Sequence, residues 1–308
     1  MPSPALSWRH ALLALAVVAV WGSNFVVIHI GLERLPPLLF AALRFTLVVF
    51  PLVFFLKRPA VPWRIMALYG LLIGAGQFGL LFVAMKSDIS PGLASLVVQM
   101  QVFFTIGLAI WLTKERVRTF QWVALVVAVA GIAVIAAHTD ATTTPLGLGL
   151  VLLAGLSWAG GNMAAKAAGK VDMLAFVVWA SLFSFPPLFA LSLALEGWPS
   201  WVEGVRSARA ETWAALVWQT VGNTLFGYAV WGFLLSRYPA ATVAPLSLLV
   251  PVFGMGASLM WLGEPLPGWK LAAAALVMTG LALSILWPRL APRFSGRAVG
   301  TNPPPGAS

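Results

Sequence analysis

Cysteine is absent from the 308 residues of this sequence, and charged residues make up only 9% of them. The first absence excludes structural disulfides, thiolate metal sites and a cysteine nucleophile. The second excludes an ordinary soluble domain, because about a quarter of the residues of such a domain are charged. Hydrophobic residues make up 60% of the chain, a balance that indicates a membrane protein.

Several chemical signatures are also missing. No aspartate or glutamate falls in the middle of a long apolar run, so the carboxylate relay of many proton pumps is absent. His10, His29 and His138 lie far apart in the sequence, and we expect no metal and no other cofactor. A glycine-rich phosphate loop with its lysine is lacking, which leaves ATP-driven transport unsupported. An enzyme is not expected, since a membrane-embedded transferase needs converging carboxylates or histidines.

Long apolar runs recur from His10 to Trp287, each near the roughly 20 residues that a helix needs to cross a bilayer. They predict an all-α membrane protein with ten transmembrane helices. Prolines at or between most run ends support the boundaries. The predicted spans are 10–32, 37–56, 65–85, 91–112, 119–137, 146–166, 173–195, 212–235, 240–262 and 268–287. The connector 196–211 carries Trp198 and Trp201, which suggests an interfacial aromatic helix.

The net charge of +10 indicates how the chain is oriented in the membrane. The positive residues form no stripe with interleaved aromatics, so we expect no nucleic-acid partner. They lie in short connectors, thirteen on one side of the predicted bundle and five on the other. The positive-inside rule then predicts a multi-pass protein of a bacterial inner membrane with both termini in the cytoplasm.

The chain contains an internal repeat. With a shift of 149 residues, Glu115 falls on Glu264 and Gly131 on Gly280. The run WGSN at 21–24 likewise has a counterpart in WAGGN at 158–162. The repeat unit is therefore five helices, which gives a first domain at 1–140 and a second at 141–288. The polar tail at 289–308 is expected to be disordered and cytoplasmic.

Five is an odd number, so the second repeat enters the membrane from the side opposite to the first. Inverted repeats of this kind are typical of secondary transporters, whose substrates bind near the midplane between the repeats. A membrane enzyme or a receptor has no general need for such pairing, whereas alternating access uses it. The sequence therefore predicts a transporter of a small molecule in the lipid bilayer; monomer and homodimer both stay open.

Four stretches carry a more specific likeness: WGSNFVVI at 21–28, LRF at 43–45, PGLASLV at 91–97 leading to Glu115, and VAPLSLLVP at 243–251 leading to Glu264. They resemble the EamA-type transporters of the drug/metabolite transporter superfamily. Across 245–251 the sequence is most similar to the O-acetylserine and cysteine exporter group, and this resemblance implies export of such amino acids. His29 departs from the family pattern, which usually has lysine there.

Polar and aromatic residues inside the spans are the candidate substrate ligands. An amide costs free energy in lipid unless it is paired, so the asparagines and at least one glutamine should face the interior of the bundle. Helix packing and interhelical bonding are the alternative roles, and anchoring in lipid is the alternative for the tryptophans. The candidates are Trp21, Asn24, Gln77, Gln99, Gln101, Trp158, Asn162, Tyr228, Trp231 and Ser247.

Three charged residues receive a structural or gating role. Glu115 and Glu264 end the fourth and ninth spans, where hydrogen bonds to nearby loops are expected. Arg44 lies about eight residues into the second span and should snorkel or pair, since a charge is expensive in the bilayer. Binding of a substrate carboxylate is the alternative for Arg44.

These features favour a secondary exporter of small polar metabolites. Because the candidate ligands are neutral, they suit a small zwitterion such as an amino acid. A broader exporter of amino acids, aromatic compounds or drugs is the alternative within the same superfamily. A passive channel also stays open.

Overall fold

A computed structural model of the chain describes residues 6–113, 118–140, 142–238 and 240–295. Over these ranges the backbone forms helices joined by short turns, and the single β-bridge, between Asp140 and Thr143, lies outside any strand. The expected all-helical class is confirmed for this part of the chain.

The helical segments follow the apolar runs closely. They are α1 (Trp8–Leu32), α2 (Pro37–Phe54), α3 (Trp63–Ser87), α4 (Pro91–Leu112), α5 (Thr119–Ala136), α6 (Pro145–Ala168), α7 (Met173–Leu195), α8 (Gly197–Ser207), α9 (210–237), α10 (240–262) and α11 (Gly268–Ser295). Several are interrupted by a turn or by a change of helix type.

Nine segments within the described ranges are long and apolar enough to cross a membrane: α1 to α7, α10 and α11. The short α8 is amphipathic, and Trp198 on it is largely exposed. The run α9 is unbroken from 210 to 237, but Gln219, Asn223 and Thr224 make its middle polar. The structure therefore adds a long helix that does not meet the apolar criterion for a membrane span.

Four segments change helix type near their middle. The α3 and α9 backbones widen to π-helix at Leu72–Gly79 and Gln219–Phe226. The α4 and α10 backbones tighten to 3-10 helix at Val98–Met100 and Ala244–Leu249. Such changes shift carbonyl groups out of the regular α-helical ladder, and π segments occur often at functional sites.

The helices of the two predicted domains interdigitate. The first helix of each domain packs against the third and fourth helices of the other: α1 lies against α9 and α10, and α6 lies against α3 and α4. In addition, α5 packs against α11 and α2 against α7. The contacts of each helix in the first predicted domain are therefore matched by equivalent contacts of its counterpart in the second.

Asp140 organises the link between the two domains. Its carboxylate accepts hydrogen bonds from the side chain and backbone of Thr142 and from the backbone of Thr143. These hydrogen bonds, that of the Thr142 hydroxyl first, lower the pKa of the Asp140 carboxyl. The charged form thus holds the turn that precedes α6.

The carboxyl-terminal helix is longer than expected. Disorder was predicted from residue 289, but α11 continues to Ser295. This part of the prediction is corrected: extending an existing helix costs little compared with starting one. Residues 296–308 lie outside the described residues.

Candidate functional site

A buried network, the central polar cluster, joins helices of the two domains; its members are Asn24, Arg44, Gln219 and Thr224. The Gln219 side chain donates to Asn24 Oδ1 at 2.8 Å, and Asn24 Nδ2 lies 3.5 Å from Gln219 Oε1. Arg44 donates to Thr224 Oγ1 at 3.0 Å, and that hydroxyl donates to the Gln219 carbonyl at 3.0 Å. The cluster thus ties α1 and α2 to the π segment of α9.

Arg44 is the charged member of the cluster, and it neither snorkels nor forms an ion pair among the described residues. Only 1% of its surface is exposed. Its guanidinium carbon lies 3.7 Å from the centre of the Phe78 ring and 5.1 Å from that of Phe45. Its Nε and Nη1 atoms are buried and have no hydrogen-bond partner among the residues described. The expectation that Arg44 pairs or reaches the interface is therefore wrong for this structure.

An aromatic cluster of Trp21, Tyr228 and Trp231 lies beside the polar one. The Trp21 ring centre is 6.1 Å from that of Tyr228 and 5.1 Å from that of Trp231. The indole N–H of Trp21 donates to the Asn223 carbonyl at 3.1 Å, a carbonyl of the π segment. Gly227 permits this approach, since a Cβ there would lie 2.4 Å from Trp21 Nε1.

A second polar contact joins α6 to α4. Asn162 Nδ2 donates to Gln101 Oε1 at 2.9 Å and lies 3.1 Å from Thr105 Oγ1. The neighbouring Ser157 donates to the carbonyl of Leu72 at 2.8 Å, at the start of the π segment of α3. Asn162 and Asn24 are equivalent in the repeat, but their amides bind different partner helices.

The remaining candidates are dispersed. Gln99 Nε2 lies 3.5 Å from the carbonyl of Ser247, so the two 3-10 segments meet there. Gln77 is buried in α3. Trp158 packs against the apolar core. The structure brings Trp21, Asn24, Tyr228 and Trp231 into one neighbourhood.

Glu264 holds a separate contact at one end of the bundle, which we call the Glu264 latch. Its carboxylate accepts from Ser90 Oγ at 2.5 Å, from the Gly92 amide at 3.0 Å and from Lys270 Nζ at 2.9 Å. Both Glu264 and Lys270 are buried. The latch connects the start of α4 to the connector between α10 and α11. Glu115, its counterpart in the repeat, lies outside the described residues.

The sequence reasoning missed Gln219, Asn223 and Thr224. All three lie in a polar stretch, 219–224, in the middle of a predicted span, and the low hydropathy of this stretch was the available signal.

The model of the EamA-like transporter family matches the chain twice, at residues 8–137 and 145–286. The chain belongs to this family. The resemblance noted in the sequence is thereby confirmed. The family to which this EamA-like protein belongs indicates a membrane transporter and not an enzyme.

Two relatives are similar to this EamA-like transporter along nearly their whole length. A probable amino-acid metabolite efflux pump of Salmonella typhimurium strain LT2 is 41% identical over 286 residues, 91% of this chain and 96% of that protein. A protein of the same name from Escherichia coli strain K12 is 40% identical over the same shares. An uncharacterized inner membrane transporter of Escherichia coli strain K12 is 33% identical over 174 residues, 52% of this chain and 56% of that protein.

A solved crystal structure has the same fold as this EamA-like transporter. The TM-score is 0.60 with 19% sequence identity, and the match covers 91% of this chain and 98% of that chain. At this identity the likeness concerns the fold alone.

Proposed function

We propose that this EamA-like transporter is a secondary exporter of small amino-acid metabolites in a bacterial inner membrane. The observation that carries the proposal is the 40% and 41% identity to proteins named probable amino-acid metabolite efflux pumps, along 96% of their length. The chemistry of the interior supports it. Amides, hydroxyl groups, aromatic faces and one arginine suit a small zwitterion better than a multiply charged solute.

The architecture proposed is ten membrane crossings in two inverted five-helix halves, 1–140 and 141–288. In this arrangement α9 is the eighth crossing, and its polar middle faces the interior instead of lipid. The equivalent π segments of α3 and α9 support the proposal, and so do the exchanged contacts of α1 and α6. The double match to one family model is consistent with it.

Transport by alternating access follows from this symmetry. The central polar cluster and the Asn162 contact both join one half to the other, so rocking of the halves breaks and remakes them. Neutral amide pairs suit this task, because exchanging their hydrogen-bond partners costs less free energy than separating a buried ion pair. Substrate binding by the candidate residues is part of the proposal, with Trp21, Asn24, Tyr228 and Trp231 nearest to the central polar cluster.

The orientation places both termini in the cytoplasm. The excess of lysine and arginine on that side supports it. The Glu264 latch then lies at the external face, and the structure corresponds to a state closed toward the outside.

Cysteine and O-acetylserine are the proposed substrates within the class. The test is counterflow in proteoliposomes that contain the purified full chain. Vesicles loaded with unlabelled O-acetylserine should accumulate labelled O-acetylserine or cysteine in a saturable manner, whereas empty vesicles should not. A panel of amino acids that gives no saturable, trans-stimulated flux would reject the proposal.

A broader exporter is the second candidate, and the aromatic cluster favours it. The rings of Tyr228 and Trp231, whose centres lie 6.1 Å and 5.1 Å from that of Trp21, offer stacking surfaces for a bulky solute. Competition separates the two candidates: tryptophan or an aromatic amine inhibits counterflow of cysteine in a broad exporter and leaves it unchanged in a narrow one.

A further inference from the structure

The central polar cluster contains a cation without an anion. Arg44 is 1% exposed, and the guanidinium group stays protonated at any physiological pH. Among the described residues, lysine and arginine form ion pairs only between Arg209 and Glu211 and between Lys270 and Glu264. Within the part of the chain that the structure describes, the charge of Arg44 is therefore met by the Thr224 hydroxyl and by the faces of Phe78 and Phe45.

A purely structural role explains this arrangement poorly. A buried charge is costly unless it is paired and fully hydrogen-bonded. Three of the five N–H groups of Arg44 lie on Nε and Nη1, which have no hydrogen-bond partner in the described part of the chain. A glutamine at this position would make the Thr224 hydrogen bond with no charge to bury. An arginine with unused donors is the side chain that binds a carboxylate best.

The position of Arg44 also fits a ligand. Its hydrogen bond to Thr224, the one it makes to a described residue, crosses from α2 to α9, that is, from one half to the other. The π segment that carries Thr224 also carries the Asn223 carbonyl, to which Trp21 of the aromatic cluster donates. Arg44 therefore lies at the contact between the halves, next to the segment that holds the aromatic cluster.

We propose that Arg44 binds the carboxylate group of the transported solute. This inference rests on the proposed function and names the residue that selects its substrates by chemical class. A carboxylate supplies the missing counter-charge and accepts hydrogen bonds from Nε and Nη1. The neutral amides and the aromatic cluster then bind the ammonium group and the side chain of the solute. Solutes without a carboxylate, such as amino-acid carboxamides, lose this contact.

The experiment compares acids with their carboxamides. Purified full-length protein in detergent is titrated with a panel of amino acids and with the carboxamide of each, and binding is followed by the rise of the unfolding temperature. In the wild type, at least one amino acid should bind about tenfold or more tighter than its carboxamide, the range of a charge-assisted hydrogen bond. Equal binding of acid and amide throughout the panel would overturn the proposal.

Three variants separate recognition from structure. In Arg44→Gln the ratio of acid to amide binding should fall to about one, and in Arg44→Lys it should be intermediate, because a point charge remains without the planar fork. Glu196→Gln is the matched control: the Glu196 carboxylate accepts from the backbone of Leu38 and Leu39 at the start of α2, the helix of Arg44, so its substitution weakens a contact of that helix but keeps the charge of Arg44, and the ratio should persist. A folded Arg44→Gln protein with the wild-type ratio would contradict the proposal. If that variant does not fold, the acid-to-amide ratios of the wild type and of Arg44→Lys still test the proposal.

Failure of the export proposal has a different signature. The same acids and amides are tested for flux in wild-type proteoliposomes. Absence of any flux rejects export, while the acid-to-amide ratio measured in detergent still tests Arg44. Flux with an unchanged ratio in Arg44→Gln rejects the role of Arg44 and leaves export standing.

Discussion

Asn24 and Gln219 exchange hydrogen bonds across the contact between α1 and α9. Truncation of either amide leaves the other buried without a partner, which costs about 1–3 kcal/mol. Replacement of both by apolar groups removes the unpaired atoms. The pair therefore has a stability effect and a transport effect that mutagenesis can separate.

We expect Asn24→Leu and Gln219→Leu each to lower the unfolding temperature, and the double variant to recover most of the loss. The coupling should be about 1 kcal/mol, near the middle of the range found for membrane proteins. The measurement is thermal unfolding of the purified variants. Counterflow should stay impaired in the double variant, because the site has lost its amides. Recovery of transport together with stability would mean that the pair only packs the helices.

At the scale of single residues, the sequence predicted which residues are buried in the interior but not which hydrogen-bond partner each of them has. The cost of an unpaired amide in lipid places Asn24 in the interior from sequence alone. Its choice of Gln219, and the choice of Gln101 by its counterpart Asn162, depends on the relative rotation of two helices. Arg44 shows the limit most clearly: the sequence offered pairing or snorkelling, and the structure has neither.

Among the helices, α5 and α11 form a close pair through glycine. A Cβ on Gly280 would lie 2.6 Å from the Ala124 carbonyl oxygen and 2.8 Å from the Ala128 Cβ. These atoms belong to the backbone or its first carbon, so the helices must move apart to admit a methyl group. In contrast, nothing lies within 4 Å of a Cβ on Gly256 in α10.

We predict that Gly280→Ala destabilises the protein by about 1–3 kcal/mol through overpacking. Gly256→Ala, the matched control, should be neutral or stabilising by up to about 1 kcal/mol, because alanine favours the helix. Unfolding temperatures of the two variants check this directly. Equal effects of the two substitutions would show that α5 and α11 do not pack as described.

The Glu264 latch couples α4 to the α10–α11 connector, and the absence of cysteine makes its opening measurable. Ser95 in α4 is fully buried, so a lone cysteine from Ser95→Cys should react slowly with a membrane-impermeant maleimide. We expect Glu264→Gln on that background to raise the rate about tenfold, since charge-assisted hydrogen bonds to Lys270, Ser90 and Gly92 weaken.

The control for the latch is Glu196→Gln. The Glu196 carboxylate also accepts backbone N–H groups, from Leu38 and Leu39 at the start of α2, but it does not contact α4. Its substitution should leave labelling at position 95 unchanged. An unchanged rate in Glu264→Gln would contradict a gating role, and an equal rise in both variants would indicate general loosening.

Helix positions were predictable because the length and composition of an apolar run determine where a helix crosses a bilayer. Apart from α11, which continues to Ser295, the observed segments end within a few residues of the predicted ones. The π and 3-10 segments were not predictable. They differ from α-helix by a shift of one residue in hydrogen bonding, and the side chains that stabilise the shifted carbonyls, such as Trp21 on Asn223, come from other helices.

For the whole molecule, the number of crossings decides between two topologies. Nine apolar helices alone would place the termini on opposite faces of the membrane, whereas a tenth crossing by α9 places them on the same face. The inverted symmetry, the position of the Glu264 latch and the proposed transport cycle all require the second arrangement. The hydropathy of α9 is the weakest evidence for a crossing, so a measurement at the two ends of α9 tests the architecture most directly.

Reporter fusions provide that measurement. A periplasm-active reporter fused after residue 208 should be active, and the same reporter fused after residue 238 should be inactive; a cytoplasm-active reporter should give the opposite pattern. The charge distribution predicts this result, since Arg206 and Arg209 lie on the side with few cations and Arg237 on the side with many. Fusions before α1 and after α11 should both report the cytoplasm. The same reporter activity at 208 and 238 would mean that α9 does not cross, and the two halves would then have unequal numbers of spans, which is incompatible with an inverted pair.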